Sequence, residues 1–201
     1  MSADFTYLAS GSPRRRQLLA QIGVPFEVLN VPVDEAIAPG EAPERYVARL
    51  ARVKAAAGWN HVYPRPERSE QNSAPVLAAD TAVVLDGRIL VKPANRPDGE
   101  RMLSELSGRT HEVLTAVALA TTHGLQWRLS RSEVTFRPLT ADEVRDYWDT
   151  EEPHDKAGGY AVQGRAAVFI ACLRGSYSGV MGLPLFETAQ LLELEGVPRW
   201  R

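Results

Sequence analysis

Val76-Leu77-Ala78-Ala79-Asp80-Thr81-Ala82-Val83-Val84-Leu85 is an apolar run that enters Asp86-Gly87, with the strand-like segment Arg88 to Val91 on the far side. Asp-Gly between two such segments is the strongest short-range signal for a type I′ hairpin, because both central residues of that turn need positive φ. A carboxylate inside the run is costly to bury unless it is paired or bound to a metal, so Asp80 needs a cation. If Asp86-Gly87 is a two-residue turn, Leu85 pairs with Arg88. The ladder then continues until Thr81 faces Lys92 and Asp80 faces Pro93, which brings Lys92 beside Asp80. Two readings follow: a functional carboxylate, or a structural Asp80–Lys92 ion pair at a strand end.

The flanking segments alternate in type. Phe5 to Ala9 reads as a short buried strand; Ser10-Gly11-Ser12 follows, and Pro13 suits the first position of a helix with Ser12 as N-cap. That helix buries Leu18, Leu19 and Ile22 and stops at Gly23. Phe26 to Val33 reads as a strand ending at Asp34-Glu35, and a helix runs from Pro43 to about Gly58. Residues 60 to 75 are polar and proline-containing, which marks a surface loop. A short helix carrying Met102, Leu103 and Leu106 ends at Gly108. Thr110 to Thr121 and Gln126 to Phe136 pair as a hairpin through His123-Gly124. Thr140-Ala141-Asp142-Glu143 is a capping box that opens another helix. A glycine-rich, charged loop spans Glu151 to Gly164, Ala166 to Leu173 reads as a strand, and Pro184 begins a last helix that ends at Gly196. Hairpins and crossovers together give an α/β or α+β fold on a mixed sheet. At 201 residues, with no internal repeat or shift in composition, the chain is expected to form one domain over 1–201.

Several function classes drop out. The formal net charge of −2 argues against a protein that coats nucleic acid. No basic leader precedes an apolar stretch, and nowhere do about 18 apolar residues run uninterrupted, so the expected setting is the cytoplasm, away from membranes. The single cysteine, Cys172, lies in an apolar run and is expected to be a small core residue. His61, His111, His123 and His154 show no ligand spacing, which argues against zinc.

The cations carry more information. Arg14-Arg15-Arg16 follow the Ser10-Gly11-Ser12 turn in the first turn of a helix, where each cation costs ~0.3–1 kcal/mol against the helix dipole. A bound polyanion removes that conflict, since phosphate accepts from backbone N–H groups and guanidiniums alike; the alternative is a solvated basic face. Of 23 basic residues only Lys54, Lys92 and Lys156 are lysines. Lys54 shares the stripe of Val47, Leu50 and Ala51 and is aimed inward, or else snorkels from the helix end. Lys156 opens Lys156-Ala157-Gly158-Gly159-Tyr160, and Gln163 just beyond can offer donor and acceptor to a base edge; the segment reads equally as a flexible loop. The three lysines fall in three segments singled out on other grounds, which points to sites needing a compact ammonium. Glu35 and Asp80 together suit Mg²⁺ or Mn²⁺.

Taken in order, Leu8-Ala9-Ser10-Gly11-Ser12-Pro13-Arg14-Arg15, Val33-Asp34-Glu35, Leu50-Ala51-Arg52-Val53-Lys54-Ala55, Ala79-Asp80-Thr81, Lys92-Pro93, Leu106-Ser107-Gly108-Arg109-Thr110-His111, Lys156-Ala157-Gly158-Gly159-Tyr160 and Gly182-Leu183-Pro184 resemble the Maf family of nucleotide pyrophosphatases nearly end to end. The resemblance implies a two-lobed α/β fold, similar to that of inosine triphosphatases, with an elongated mixed sheet and a central cleft, often dimeric. It implies hydrolysis of a nucleoside triphosphate to the monophosphate and pyrophosphate with a divalent metal, Asp80 serving as general base and Glu35 with Asp80 as metal ligands. Ser10, Ser12, Arg14, Arg15, Lys54, Lys92 and Lys156 become substrate-binding residues. Arg14, Thr81 and Gln163 match the specificity positions of the branch that acts on dTTP and UTP, against a branch preferring 7-methyl-GTP. The family's link to septum inhibition adds an alternative, a nucleotide-binding regulator of cell division. An enzyme acting on another phosphorylated compound, such as a sugar nucleotide, is a further one.

Overall fold

A computed structural model describes residues 4–64 and 73–200. Its elements are β1 (Thr6–Ala9), α1 (Pro13–Gln21), β2 (Phe26–Leu29), α2 (Pro43–Val62), β3 (Val76–Leu85), β4 (Arg88–Leu90), α3 (Arg96–Leu106), β5 (Thr110–Thr121), β6 (Gly124–Phe136), α4 (Ala141–Trp148), β7 (Ile170–Arg174), α5 (Tyr177–Met181) and α6 (Leu185–Leu194). The α/β expectation holds: one seven-stranded mixed sheet runs β2-β1-β3-β5-β6-β7, and β4 joins β3 off this path. The contacts of β1 with β2 and β3 are parallel; all other pairings are antiparallel.

The apolar run is the centre of the sheet. β3 pairs with β5 along Val76 to Val84, and Asp86 and Gly87 have φ of 51° and 75°, as the type I′ turn requires. The opposite edge of β3 is shared. β1 takes Val76 and Leu77, β4 takes Val83 to Leu85, and the interval Ala78–Ala82 lies between them. The sheet is therefore opened beside Asp80 and Thr81.

Side chains alternate across a strand, so β3 feeds two faces. Ala78, Ala82 and Val84 face α2, whose Val47, Leu50, Ala51 and Ala55 lie against the small residues Ala116 and Ala118 of β5. Leu77 and Ala79 face the other way, under Leu18 and Leu19 of α1 and Leu191 and Leu192 of α6. Farther along that second face Val83 and Leu85 meet Leu103 and Leu106 of α3 and Val144 and Tyr147 of α4. Two apolar clusters on one face thus flank the row that holds Thr81 and Thr115.

Several boundaries differ from expectation. β2 ends at Leu29, four residues short of Val33, and extended chain carries on to Glu35. α2 runs to Val62, a turn past Gly58, and the middle of the expected loop at 60–75 lies outside the described residues. β6 begins at Gly124, with Thr121 paired to Gly124. Ala166 to Phe169 belong to a 3₁₀ turn and the strand covers only Ile170–Arg174, so Cys172 is exposed, contrary to the core expectation. β7 is an edge strand with one covered face, and Cys172 is on the other. The short helix α5 had no signature in the sequence. No helix among the described residues is long and apolar enough to cross a membrane.

Candidate active site

A cleft of about 690 Å³ opens where the sheet is interrupted. Its walls come from the turn after β1, the chain after β2, α2, the exposed edge of β3, the chain after β4 and the 155–163 segment. Every residue proposed from sequence lines it: Ser10, Ser12, Arg14, Arg15, Glu35, Lys54, Asp80, Thr81, Lys92, Lys156 and Gln163.

Asp80 is 6% exposed and faces α2, among the alanines that let the helix approach the sheet. Lys54, on the inner stripe of α2, donates from Nζ to Asp80 Oδ1 at 2.6 Å and pairs with Glu35 Oε1 at 2.6 Å. The inward reading of Lys54 is the one the structure adopts. One ammonium thus bridges two carboxylates contributed by a strand interior and by the loop after β2. Burial raises the pKa of Asp80 above its ordinary value, against the opposing charges of Lys54 and Arg15. Glu35 moves the other way: burial pushes it up, but the hydrogen bond and charge of Lys54, with Lys92 and Arg15 behind, bring it below the usual value. A raised and a lowered carboxyl side by side suit a proton acceptor and a permanent anion.

Lys92 is not paired with Asp80 as the extended ladder required. The β3–β4 pairing stops at Val83↔Leu90, and β4 turns away before Lys92 reaches the level of Asp80. Lys92 remains in the cleft wall, exposed, and its charge acts on Glu35.

Helix α1 starts as expected. Ser12 is its N-cap and Pro13 its first residue, yet no side chain caps the first turn and no acidic residue lies there. Instead the Ser12 N–H donates to Ser10 Oγ, and Arg15 turns inward, donating from Nε to the Gly182 carbonyl at 2.8 Å and from Nη1 to Ser10 Oγ at 3.3 Å. Burial lowers the Arg15 pKa, and the charge of Asp80 opposes this. Arg14 reaches across to Asp155 at 3.9 Å, joining the helix start to the 155–163 segment. Arg16 is exposed.

The glycine-rich segment is anchored at both ends. Lys156 donates to the Glu152 carbonyl and to Asp155. Glu152 accepts from the Arg165 and Ala166 N–H groups and from the Tyr147 hydroxyl. Gly158 has φ of 69° and lies so close to Val83 that an added Cβ would fall 2.9 Å from it, which requires glycine there. Tyr160 is buried, and its hydroxyl is 2.8 Å from Nε2 of His111, which is 2% exposed. Gln163 stands exposed at the rim.

Two residues escaped the sequence reading. Tyr46, on α2, donates its hydroxyl to the Glu35 carbonyl at 3.2 Å and so ties the loop after β2 to the helix that carries Lys54. Burial, then the charges of Asp80 and Glu35, raise its pKa to about 12. The only available signal was its spacing of two helical turns from Lys54. Thr115 has no local signal; it matters because β5 pairs it with Thr81.

The donor set fits a divalent metal in a limited way. Among the described residues no group of three or more metal-binding side chains gathers anywhere. Glu35 and Asp80, bridged by one ammonium, are two oxygen donors within reach of a single cation, the number Mg²⁺ commonly takes from protein when substrate phosphates and water complete its shell.

Comparison with known proteins places this arrangement. The chain matches the family described as Maf-like protein over residues 6–195. It is 56% identical over 187 residues to the dTTP/UTP pyrophosphatase of Alkalilimnicola ehrlichii, covering 93% of this chain and 91% of that one. It is 55% identical over 201 residues to the protein of the same name from Aromatoleum aromaticum, covering 96% of each, and 52% identical to that of Saccharophagus degradans, covering 100% and 92%. The Ham1 protein of Staphylococcus aureus aligns over 94% of this chain and 96% of its own with a TM-score of 0.43 and 12% identity, a likeness too loose to bear on the fold. With a match spanning residues 6–195 and relatives more than half identical along nearly their whole length, the chain belongs to the Maf-like protein family.

Proposed function

We infer that this chain hydrolyses dTTP and UTP to the nucleoside monophosphate and pyrophosphate, with Asp80 as general base. The observation that carries this reading is the buried carboxylate of Asp80, raised in pKa and facing a cleft that Arg14, Arg15, Lys54, Lys92 and Lys156 also line. The names of relatives at 52–56% identity support the choice of dTTP and UTP.

In this reading the triphosphate lies between the start of α1 and Lys54, Lys92 and Lys156. The uncapped first turn of α1, with Ser10, Ser12, Arg14 and Arg15, receives phosphate oxygens, and the conflict of arginines with the helix dipole is relieved by the bound anion. Water attacks the α-phosphorus: a P–O bond forms, the bond to the bridging oxygen of the β-phosphate breaks, and pyrophosphate leaves. Asp80 takes the proton, helped by its raised pKa. The ammonium groups offset the charge that moves onto the leaving oxygens. Glu35 and Asp80 would hold a Mg²⁺ or Mn²⁺ ion, which when bound supplies Lewis-acid neutralisation and acidifies water. Arg14, Thr81 and Gln163 surround the base. A nucleotide substrate suits a cytoplasmic enzyme acting on the free nucleotide pool; a homodimer and a role in cell division are compatible with this reading.

The test is pyrophosphate release from dTTP, UTP, CTP, GTP, ATP and 7-methyl-GTP with Mg²⁺ or Mn²⁺. Release from dTTP and UTP above the rest is expected. Preference for 7-methyl-GTP would keep the chemistry and replace the base assignment, and no release from any nucleotide would put a nucleotide-binding regulator in its place.

A further inference from the structure

The chain that follows Glu152 is tied back to that one residue. Its carboxylate accepts the Arg165 N–H on Oε2 at 3.0 Å, and on Oε1 the Ala166 N–H at 3.4 Å and the Tyr147 hydroxyl at 2.7 Å. The Tyr147 oxygen in turn accepts the Ala161 N–H at 3.3 Å. The Ala161 carbonyl accepts the Gly164 N–H at 3.1 Å, which closes a turn with Val162 and Gln163 at its tip. Both ends of the turn therefore lead to Glu152, the entry through Tyr147 and the exit directly. The carboxylate lies so close over Gly164 that an added Cβ would fall 2.2 Å from Oε2. Burial pushes the Glu152 pKa up, but the Arg165 N–H, the Tyr147 hydroxyl and the Ala166 N–H outweigh it and bring the pKa below its ordinary value. The backbone carbonyl of the same residue accepts from Lys156 Nζ at 2.6 Å. Lys156 and Gln163 line the cleft, and Glu152 stands behind them.

We propose that Glu152 is a positioning residue for base selection: its carboxylate holds the Gln163 turn in place relative to Lys156, and through Gln163 it sets the preference for thymine and uracil over cytosine. This rests on the reading that the cleft takes the phosphates at Lys156 and the base at Gln163. Gln163 is exposed at the rim, so nothing packed around its side chain holds it against the base. Its backbone must do so. A polar side chain contributes to recognition only when the cost of ordering it has been met before the ligand arrives. If the turn is released, the contact to the preferred bases is lost, while cytosine, which gains nothing from that contact, is little affected.

The experiment measures kcat and KM for UTP and CTP with Mg²⁺ in wild type, Glu152→Gln, Gln163→Ala and the double variant. An amide has one oxygen where the carboxylate has two. Whichever way it turns, its NH₂ faces the N–H of Arg165 or of Ala166, and the turn loses an anchor. The UTP-over-CTP ratio of kcat/KM is expected to fall about three- to tenfold in Glu152→Gln, through the KM for UTP, with kcat changed less than about twofold. In Gln163→Ala the ratio falls as well, and adding Glu152→Gln lowers it no further, because both act through one contact. A merely structural role would lower UTP and CTP together, by the same factor with or without Gln163. A folded Glu152→Gln with the wild-type ratio, or a fall repeated in full on top of Gln163→Ala, overturns this inference and leaves the reading of the site standing. Should Glu152→Gln fail to fold, Tyr147→Phe, which cuts only the Ala161 arm, decides: a reduced ratio that Gln163→Ala masks supports the proposal, and an unchanged ratio overturns it. Gln163→Ala with the wild-type ratio, or a wild type that hydrolyses UTP and CTP alike, would overturn the base assignment and this inference with it.

Discussion

Lys54 Nζ and Asp80 Oδ1 are 2.6 Å apart across 26 residues of sequence, in a place where a helix meets the open edge of the central strand. The same ammonium holds Glu35, so the two carboxylates depend on one cation from α2 for their charge and their spacing. The strand supplies the buried position, the helix supplies the counter-charge, and the loop after β2 supplies the second oxygen donor.

Asp80→Asn keeps the shape of the side chain and removes the carboxylate proposed as the proton acceptor. Pyrophosphate release is expected to fall by about 10²-fold or more, the scale of a lost general base, while the melting temperature stays at or above that of wild type. The sign of the stability change follows from the raised pKa. Between 3.8 and its folded value Asp80 binds more proton in the native state, so its ionisation opposes folding as pH rises, and a neutral residue escapes that cost. Near-normal turnover in this variant would remove Asp80 from its role.

Lys54→Met leaves Asp80 buried beside Glu35 without its main counter-charge. The acid limb of the pH dependence of kcat/KM is expected to move upward by about one unit or more, and the fold to lose about 3 kcal/mol, as when one partner of a buried pair is removed. A variant whose acid limb coincides with that of wild type would show that Lys54 does not set the proton affinity of Asp80.

Tyr46→Phe removes only the hydroxyl that holds the Glu35 carbonyl. Half-maximal activity is expected to need about three- to tenfold more Mg²⁺, with a smaller change in kcat at saturating metal, because a group behind the proposed metal ligand Glu35 tunes affinity first. Titrating activity with Mg²⁺ in both proteins is the check; superimposable curves would detach Tyr46 from the site.

His111 is held neutral. Burial lowers its pKa from 6.5 to about 4, with Nε2 on the Tyr160 hydroxyl and Nδ1 without a hydrogen-bond partner among the described residues. As pH falls from 6.5 to 4 the unfolded chain takes up a proton that the folded chain refuses, so stability is lost over that window, by about 3 kcal/mol at the low end. Urea unfolding at several pH values should give a shallower decline for His111→Gln than for wild type. Parallel curves would mean that another group carries the acid sensitivity.

Much of this arrangement is legible in the sequence. Asp80 announced itself as a carboxylate in an apolar run, Asp86-Gly87 as a hairpin turn, Lys54 as a cation on an apolar stripe and Arg14-Arg15-Arg16 as misplaced charge at a helix start, because each breaks or obeys a rule that operates over a few residues. The misreadings share a cause as well. Extending the hairpin ladder predicts Lys92 beside Asp80, but the ladder ends at Leu90; apolarity alone predicts strand over Ala166 to Phe169, which form a 3₁₀ turn before the edge strand. Cys172 followed them into the core on paper and lies exposed in the fold.

By itself, then, the sequence determined the local elements, the family and the identity of the charged residues that gather at the cleft, since hydrophobic period, turn chemistry and capping act between near neighbours. Only the tertiary structure decided which of these groups meet. Lys54 rather than Lys92 reaches Asp80 because α2 lies over the face that Asp80 shares with Ala78 and Ala82, while the β3–β4 ladder ends at Leu90. Thr115 meets both Thr81 Oγ1 and the Gly179 carbonyl because strand register places Thr81 beside it and α5 places the carbonyl beyond, 34 and 64 residues away along the chain. Hydrogen bonds and buried ion pairs depend on distances of a few tenths of an ångström between segments remote in sequence, and those distances exist only once the sheet has closed around them.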